Sequence, residues 1–107
     1  TETVYGLAAD ITRESAVKEI YRIKNRPISH PLIVHICNKE DIYQYSEEVP
    51  DYVIKLIEIF WPGPLTFILK KSPNIPDYVT GYQSTVAIRM PKHSLTLKII
   101  QLLGNPI

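Results

Sequence analysis

The chain has 107 residues, of which 45% are hydrophobic, and its formal net charge is +1. This size suits one small domain with a modest core, and we expect that domain to span residues 1–107. The near-neutral charge excludes the broad basic field that non-specific nucleic-acid binding needs. The single cysteine, Cys37, excludes an internal disulfide and a cysteine-rich zinc site, and we expect it to be buried at a strand end.

No apolar run approaches the roughly 20 residues that span a bilayer. No charged segment followed by an apolar core opens the chain either. We therefore expect a soluble, cytoplasmic protein without membrane contact.

The first predicted elements are a strand and a helix. Residues 3–8 are mostly apolar and predict a short strand or an extended segment. Asp10 and Thr12 are candidate caps for a helix over residues 13–24. Its apolar residues recur at helical spacing and should pack on a sheet. They are Ala16, Val17, Ile20 and Ile23.

A basic turn follows this helix in the sequence Lys24-Asn25-Arg26-Pro27. Pro27 disfavours helical geometry at Arg26, and the apolar run over residues 32–36 then predicts a buried strand. Held at such a junction, Lys24 and Arg26 could converge on one anion. The alternative is that both are solvated charges near a helix C-terminus, where the helix dipole favours cations.

Two helices are predicted in the middle of the chain. Asn38 is a candidate cap for a short helix over residues 39–45, and Pro50 suits the first turn of a longer one. The segment Trp61-Pro62-Gly63-Pro64 should stop that longer helix. Its predicted buried stripe consists of Val53, Leu56, Ile57 and Phe60.

Two strands and a helix complete the chain. Residues 65–70 and 85–90 predict strands, and residues 72–84 predict a long loop between them. A last helix should begin at His93 or Ser94 and end just before Gly104. Its apolar stripe consists of Leu95, Ile99, Leu102 and Leu103. Strands alternating with helices predict an α/β (α+β) fold with a mixed twisted sheet and helices packed on its faces.

The sequence lacks the glycine-rich loops of common nucleotide sites, since it has only four glycines. Its three histidines are widely spaced, so no metal site is predicted. In the predicted strand over residues 32–36, His35 either points into a cleft or is a satisfied core histidine.

Arg89 interrupts an apolar strand, so it needs an anionic partner or the open face of the strand. With a period of two, Thr85, Ala87 and Arg89 share one face. These groups suit positioning and charge neutralisation more than proton transfer, and no catalytic acid or base is assigned.

Four sequence blocks resemble one family, the YrdC-type threonylcarbamoyl-AMP synthases. They are TETVYGLAAD at the start, KNRP followed by PLIVHI, then FWPGPLTFILKK, and finally TVAIRMPKH. The resemblance implies a YrdC-like fold with a concave, positively charged cleft. It also implies a nucleotidyltransferase that joins L-threonine, bicarbonate and ATP into threonylcarbamoyl-adenylate with release of pyrophosphate.

The resemblance also implies roles for individual residues. Lys24 and Arg26 match a basic pair that holds phosphates, and Thr85 matches a nucleotide contact. Thr1 and His35 match the threonine pocket, and Arg89 matches the arginine that receives the substrate carboxylate. Mg²⁺ would accompany the nucleotide.

The product would serve N6-threonylcarbamoyladenosine modification at position 37 of tRNA. The implied partners are tRNA, or double-stranded RNA, and the proteins of the threonylcarbamoyl transfer step.

The chain departs from the family pattern in two respects. A first strand before Thr1 and a Ser-x-Asn strand after Ile107 would be absent, so we expect an incomplete domain. The loop before Thr85 reads Gly81-Tyr82-Gln83-Ser84 and lacks the family's acidic residue. Two alternatives therefore stay open. One is an inactive module that binds nucleotide or RNA, and the other is a YrdC-like segment of a larger carbamoyltransferase.

Overall fold

The computed structural model describes residues 2–107 and confirms a mixed α/β fold. A short 3-10 turn, Lys39–Asp41, precedes the second helix. In chain order the elements are α1 (Glu14–Ile23), β1 (Ile33–His35), α2 (Ile42–Tyr45), α3 (Asp51–Phe60), β2 (Thr66–Lys70), β3 (Thr85–Arg89) and α4 (Ser94–Leu103).

The sheet has the strand order β1-β3-β2, with β3 at its centre. Strand β1 pairs with β3 in parallel, and His35 lies opposite Arg89. Strand β2 pairs with β3 in antiparallel, and Thr66 lies opposite Arg89 from the other side. The expectation of a mixed sheet is therefore confirmed, and β3 fixes which residues of the two outer strands become neighbours.

One face of the sheet forms the centre of the core. Side chains alternate between the two faces of a strand, and the buried positions of all three strands follow that alternation. Ile88 of β3 has no exposed surface. The other buried strand residues are Val34, Phe67, Leu69 and Val86.

The opposite face of the sheet, which we call the open face, carries the predicted functional residues of β3. Thr85, Ala87 and Arg89 lie there and are half-buried, as the period of two predicted. Ile68 of β2 lies on the same face and is 71% exposed.

The start of the chain decides between two predicted alternatives. Residues 3–8 form no strand, which leaves the predicted extended segment, and Val4, Tyr5 and Leu7 are exposed. Helix α1 begins at Glu14 without a side-chain cap, so the predicted capping by Asp10 and Thr12 is wrong. Asp10 instead accepts hydrogen bonds from the backbone N–H and the hydroxyl of Thr12. A short polar side chain that bonds two residues ahead makes a local turn rather than a cap.

The longer helix also corrects one prediction. Val53 and Ile57 are buried and Leu56 is half-buried, but Phe60 is 49% exposed. The stripe fails at Phe60 because α3 ends there, and the core position passes to Trp61, which is buried. The stop at residues 61–64 is confirmed.

The apolar stripe of α4 does not pack into the core. Ile100 is the buried residue of this helix, whereas all four residues of the predicted stripe are exposed. Gly104 is the C-terminal cap with φ of 78°, as predicted. The apolar spacing therefore predicted the helix correctly, but it did not show which side of α4 packs against the core.

Two smaller predictions fail as well. Asn38 precedes the 3-10 turn at the predicted place but makes no side-chain capping hydrogen bond. Cys37 follows β1 and is half-buried rather than buried.

Among residues 2–107, no helix is long and apolar enough to cross a membrane.

The two faces of the sheet predict different costs of truncation. Ile88→Ala should lower the free energy of unfolding by about 2–5 kcal/mol, because it leaves a cavity in the core. Ile68→Ala, on the open face, should change it by less than about 0.5 kcal/mol. Urea unfolding of the two variants beside the parent protein measures both values. Equal losses would mean that the open face is packed in solution.

Candidate functional site

The basic turn is held by backbone contacts on both of its sides. The Arg26 guanidinium donates from Nε to the carbonyl of His30 at 3.2 Å and from Nη2 to the carbonyl of Pro31 at 2.7 Å. The backbone N–H of Arg26 donates to the carbonyl of Tyr21 at 2.9 Å. Arg26 therefore closes the turn between α1 and β1, and its charge is fixed in place.

A glycine in the loop over residues 72–84 packs closely against the segment that follows the basic turn. Gly81 has φ of 62°, and a Cβ atom there would lie 2.5 Å from the carbonyl oxygen of Ser29. Only glycine permits this approach, because a side chain would be strained in conformation and would clash. Nearby, the N–H of Leu32 donates to the carbonyl of Val79 at 2.9 Å. The loop over residues 72–84 thus helps to position the basic turn.

A cavity of about 480 Å³ opens beside the turn. Its polar lining includes Lys24, Arg26, His35 and His93, and among residues 2–107 no Asp or Glu side chain lines it. Helix α1, strand β1, helix α4 and the segment over residues 5–9 form its walls. The apolar lining residues from the helices are Val17, Ile20, Leu95 and Ile99. Cationic and apolar groups together suit a ligand that has an anionic part and an apolar part.

Lys24 is the exposed member of the basic pair. The described part of the chain gives it no ion pair or side-chain hydrogen bond. Lys24 and Arg26 do line one cavity, as convergence on one anion requires. The Arg26 guanidinium is bound through Nε and Nη2, whereas the Lys24 ammonium group makes no side-chain hydrogen bond among the described residues.

His35 lies at the border between the cavity and the open face. It lines the cavity, and its partner in the register of the sheet is Arg89. Its Nδ1 lies 3.1 Å from the carbonyl oxygen of Ile33, so Nδ1 carries the proton and Nε2 is left as an acceptor. Burial lowers the pKa of His35 below the usual 6.5, the hydrogen bond with Ile33 opposes this, and the Arg89 charge lowers it further. His35 is therefore neutral near pH 7.

Arg89 is not an unpaired charge. Its Nη2 lies 2.8 Å from Oε1 of Glu2, and its Nε donates to the carbonyl of Gly63 at 2.9 Å. Gly63 belongs to the turn that stops α3, where a Cβ atom would lie 2.4 Å from the carbonyl oxygen of Phe60. Both conditions stated from the sequence, an anionic partner and the open face, are thus met.

The structure does not bring every predicted site residue together. Arg89 and Thr85 lie outside the cavity lining. Thr85 is paired with Lys70 at the far end of β3, about 13 Å from Arg89 along the strand. Its nucleotide contact stays a prediction. Thr1 lies outside the described residues.

Two site residues were missed by sequence reasoning. His93 was considered as a helix start and, with the other histidines, as a metal ligand, but it lines the cavity, and its Nδ1 accepts a hydrogen bond from the N–H of Thr96 at 3.2 Å. Glu2 was not considered, although it is the acid in the opening TETVYGL block. One signal in the sequence pointed to such an acid, which was the position of Arg89 inside an apolar strand, where its charge needs a partner.

Comparison with known proteins identifies the family. The family model for Sua5, YciO and YrdC proteins, described as "Telomere recombination", matches residues 1–107. A threonylcarbamoyl-AMP synthase of Pyrococcus abyssi is 48% identical, and the match covers 100% of this chain and 32% of that protein. One of Bacillus subtilis is 45% identical, with coverage of 100% and 31%.

A solved structure of a family member is also similar to this chain. The crystal structure of Pyrococcus abyssi Sua5 complexed with L-threonine superposes with a TM-score of 0.95 and 47% identity, covering 99% of this chain and 31% of that chain. This chain therefore spans about a third of the length of these relatives. The mixed sheet and its helices define an α/β domain of the YrdC type. The chain belongs to the Sua5/YciO/YrdC family.

The lowered pKa of His35 predicts a loss of stability in mild acid. The unfolded chain takes up the proton first, so the contribution of His35 is complete above about pH 6.5 and disappears as the pH falls through the lower folded-state pKa. His35→Gln should remove part of that loss, whereas His30→Gln, at an exposed position, should not. Urea unfolding at about pH 7.5 and about pH 5.5 measures the difference. An NMR titration that places His35 at or above its usual pKa would contradict this account.

Proposed function

We propose that the chain supplies substrate-binding residues of a threonylcarbamoyl-AMP synthase, a nucleotidyltransferase that acts on L-threonine, bicarbonate and ATP. The proposal rests on the cavity lining, which combines Lys24 and Arg26 with apolar walls and, among the described residues, has no Asp or Glu side chain. The family membership and the L-threonine in the Pyrococcus abyssi Sua5 structure support it.

In this proposal the cavity binds ATP. The ammonium group of Lys24 pairs with the phosphates, and the fixed charge of Arg26 adds to the attraction. Ile20, Leu95 and Ile99 offer the adenine ring an apolar surface. In this proposal, adenine would cover the exposed apolar residues of α4, Leu95 and Ile99.

The threonine site lies on the neighbouring open face. Arg89 receives the carboxylate of L-threonine, for which a guanidinium is the preferred partner. The neutral Nε2 of His35 accepts a hydrogen bond from the hydroxyl or the amine of threonine. Thr1 and Thr85 add contacts that rest on the family resemblance alone.

The chemistry proposed is positioning with charge neutralisation. His35 lines the cavity and is paired with Arg89, so the two substrates meet at one point of the sheet. The threonine amine and bicarbonate would form a carbamate with release of water. A carbamate oxygen would then bond to the α-phosphorus of ATP, and the bond from that phosphorus to the bridging oxygen would break, so that pyrophosphate leaves toward Lys24 and Arg26. Holding the reacting groups in line provides most of the acceleration in such a site.

Mg²⁺ enters the proposal only with the nucleotide. Within residues 2–107, no three His, Cys, Asp or Glu side chains are grouped so that they could hold a metal ion. The described part of the cavity lining also has no Asp or Glu side chain. Mg²⁺ is therefore proposed as a companion of the ATP phosphates and not as a resident ion.

The proposed product is the donor for N6-threonylcarbamoyladenosine at position 37 of tRNA. The proposal therefore includes tRNA and the proteins of the transfer step as partners. Direct binding of tRNA or double-stranded RNA would have to be local, because the net charge is only +1.

Lys24→Ala should weaken ATP binding about tenfold or more, because it removes a charge-assisted contact. The free energy of unfolding should change by only tenths of a kcal/mol, since an exposed helix-end charge contributes about that much. Isothermal titration calorimetry with ATP measures the affinity.

Lys55→Ala is the matched control, since Lys55 is exposed on α3 and does not line the cavity. Its affinity for ATP should equal that of the parent protein. A parent protein that binds no ATP would refute the nucleotide assignment. Equal affinities of Lys24→Ala and the parent would refute the role of Lys24.

A further inference from the structure

Glu2 is the acid that holds the arginine of the proposed threonine site. One oxygen, Oε1, accepts from the backbone N–H of Lys92 at 2.6 Å and lies 2.8 Å from Nη2 of Arg89. The side chains of Arg89 and Glu2 are only 15% and 25% exposed. The N–H of Lys92 and the Arg89 charge lower the pKa of Glu2, so it is ionised near neutral pH.

These contacts occupy one edge of the guanidinium. Nε is bound by the carbonyl of Gly63 and Nη2 by Glu2, and both groups lie on the same side of the planar head group. Nη1 has no hydrogen-bond partner among residues 2–107. Arg89 is thus fixed on two atoms and retains donors for a further acceptor on the open face, where His35 is its neighbour.

We propose that Glu2 is a positioning residue that orients the guanidinium of Arg89 toward a ligand carboxylate beside His35. The inference rests on the proposed function for the identity of that ligand. An arginine side chain is long and flexible, so ordering it before binding removes an entropic cost from the affinity. Lys92 contributes through its backbone N–H, which anchors Oε1.

Three variants separate position from charge. Glu2→Gln keeps an oxygen that can accept from both Lys92 and Arg89 but removes the charge. Glu2→Asp keeps the charge but is one methylene shorter, so it cannot reach both donors. Glu2→Ala removes both. Glu58→Ala on α3 is the control, because Glu58 is exposed and makes only a long ion pair with Lys39 at 3.9 Å.

Calorimetry with L-threonine and with L-threoninol, which lacks the carboxylate, tests the proposal. Glu2→Ala and Glu2→Asp should bind L-threonine roughly three- to tenfold more weakly than the parent protein, the cost of ordering one arginine on binding. Glu2→Gln and Glu58→Ala should bind it as the parent does. Affinity for L-threoninol should be the same in all variants.

The NMR signal of the Arg89 Nη2–H₂ group, which Glu2 binds, gives a readout that needs no ligand. The Nε–H is not suitable, because it is bound by the carbonyl of Gly63. The Nη2–H₂ signal should be sharp in the parent and in Glu2→Gln, and broadened in Glu2→Ala. An unchanged signal in Glu2→Ala would overturn the proposal. So would tighter threonine binding by Glu2→Ala, which would make Glu2 a competitor of the ligand, or equal losses for both ligands. A parent protein that does not bind L-threonine would refute the proposed function, while the Nη2–H₂ signal would still decide the role of Glu2.

Discussion

Side chains alternate between the core and the open face along β3, and this alternation fixes where the functional residues of the sheet lie. Val86 and Ile88 point into the core, so Arg89 must lie on the open face. The central place of β3 then fixes the neighbours of Arg89, which are His35 on one side and Thr66 on the other. The burial that stabilises the sheet therefore also sets the geometry of the candidate threonine site.

Charge is distributed around this sheet so that anions are attracted at two adjacent places. The cavity is lined by Lys24 and Arg26 and, within the part of the chain that the structure describes, by no Asp or Glu side chain. Arg89 is held by Glu2 and by the carbonyl of Gly63. His35 stays neutral between them, because burial and the Arg89 charge lower its pKa. A neutral acceptor between two cationic sites suits a substrate whose amine and carboxylate must be bound separately.

Sequence patterns predicted the parts of the fold that local chemistry determines. The prolines and glycine of residues 61–64 ended α3, and Gly104 ended α4, because these residues limit the backbone wherever they occur. Periodicity could not show which side of α4 meets the core, so the exposure of its apolar stripe was not foreseen. The contact between Glu2 and Lys92 spans 90 positions, and no local pattern encodes such a pair.

In the proposed function, ATP and L-threonine occupy adjacent sites that meet at His35. A two-dimensional NMR titration of the isotope-labelled chain can locate both sites in one experiment. We predict that ATP shifts the amide signals of the basic turn and of the start of α4, that L-threonine shifts those around Arg89, and that both ligands shift His35. If the two ligands shift the same set of residues beyond His35, or shift only residues remote from the cavity and the open face, the two sites are not separate and adjacent as proposed.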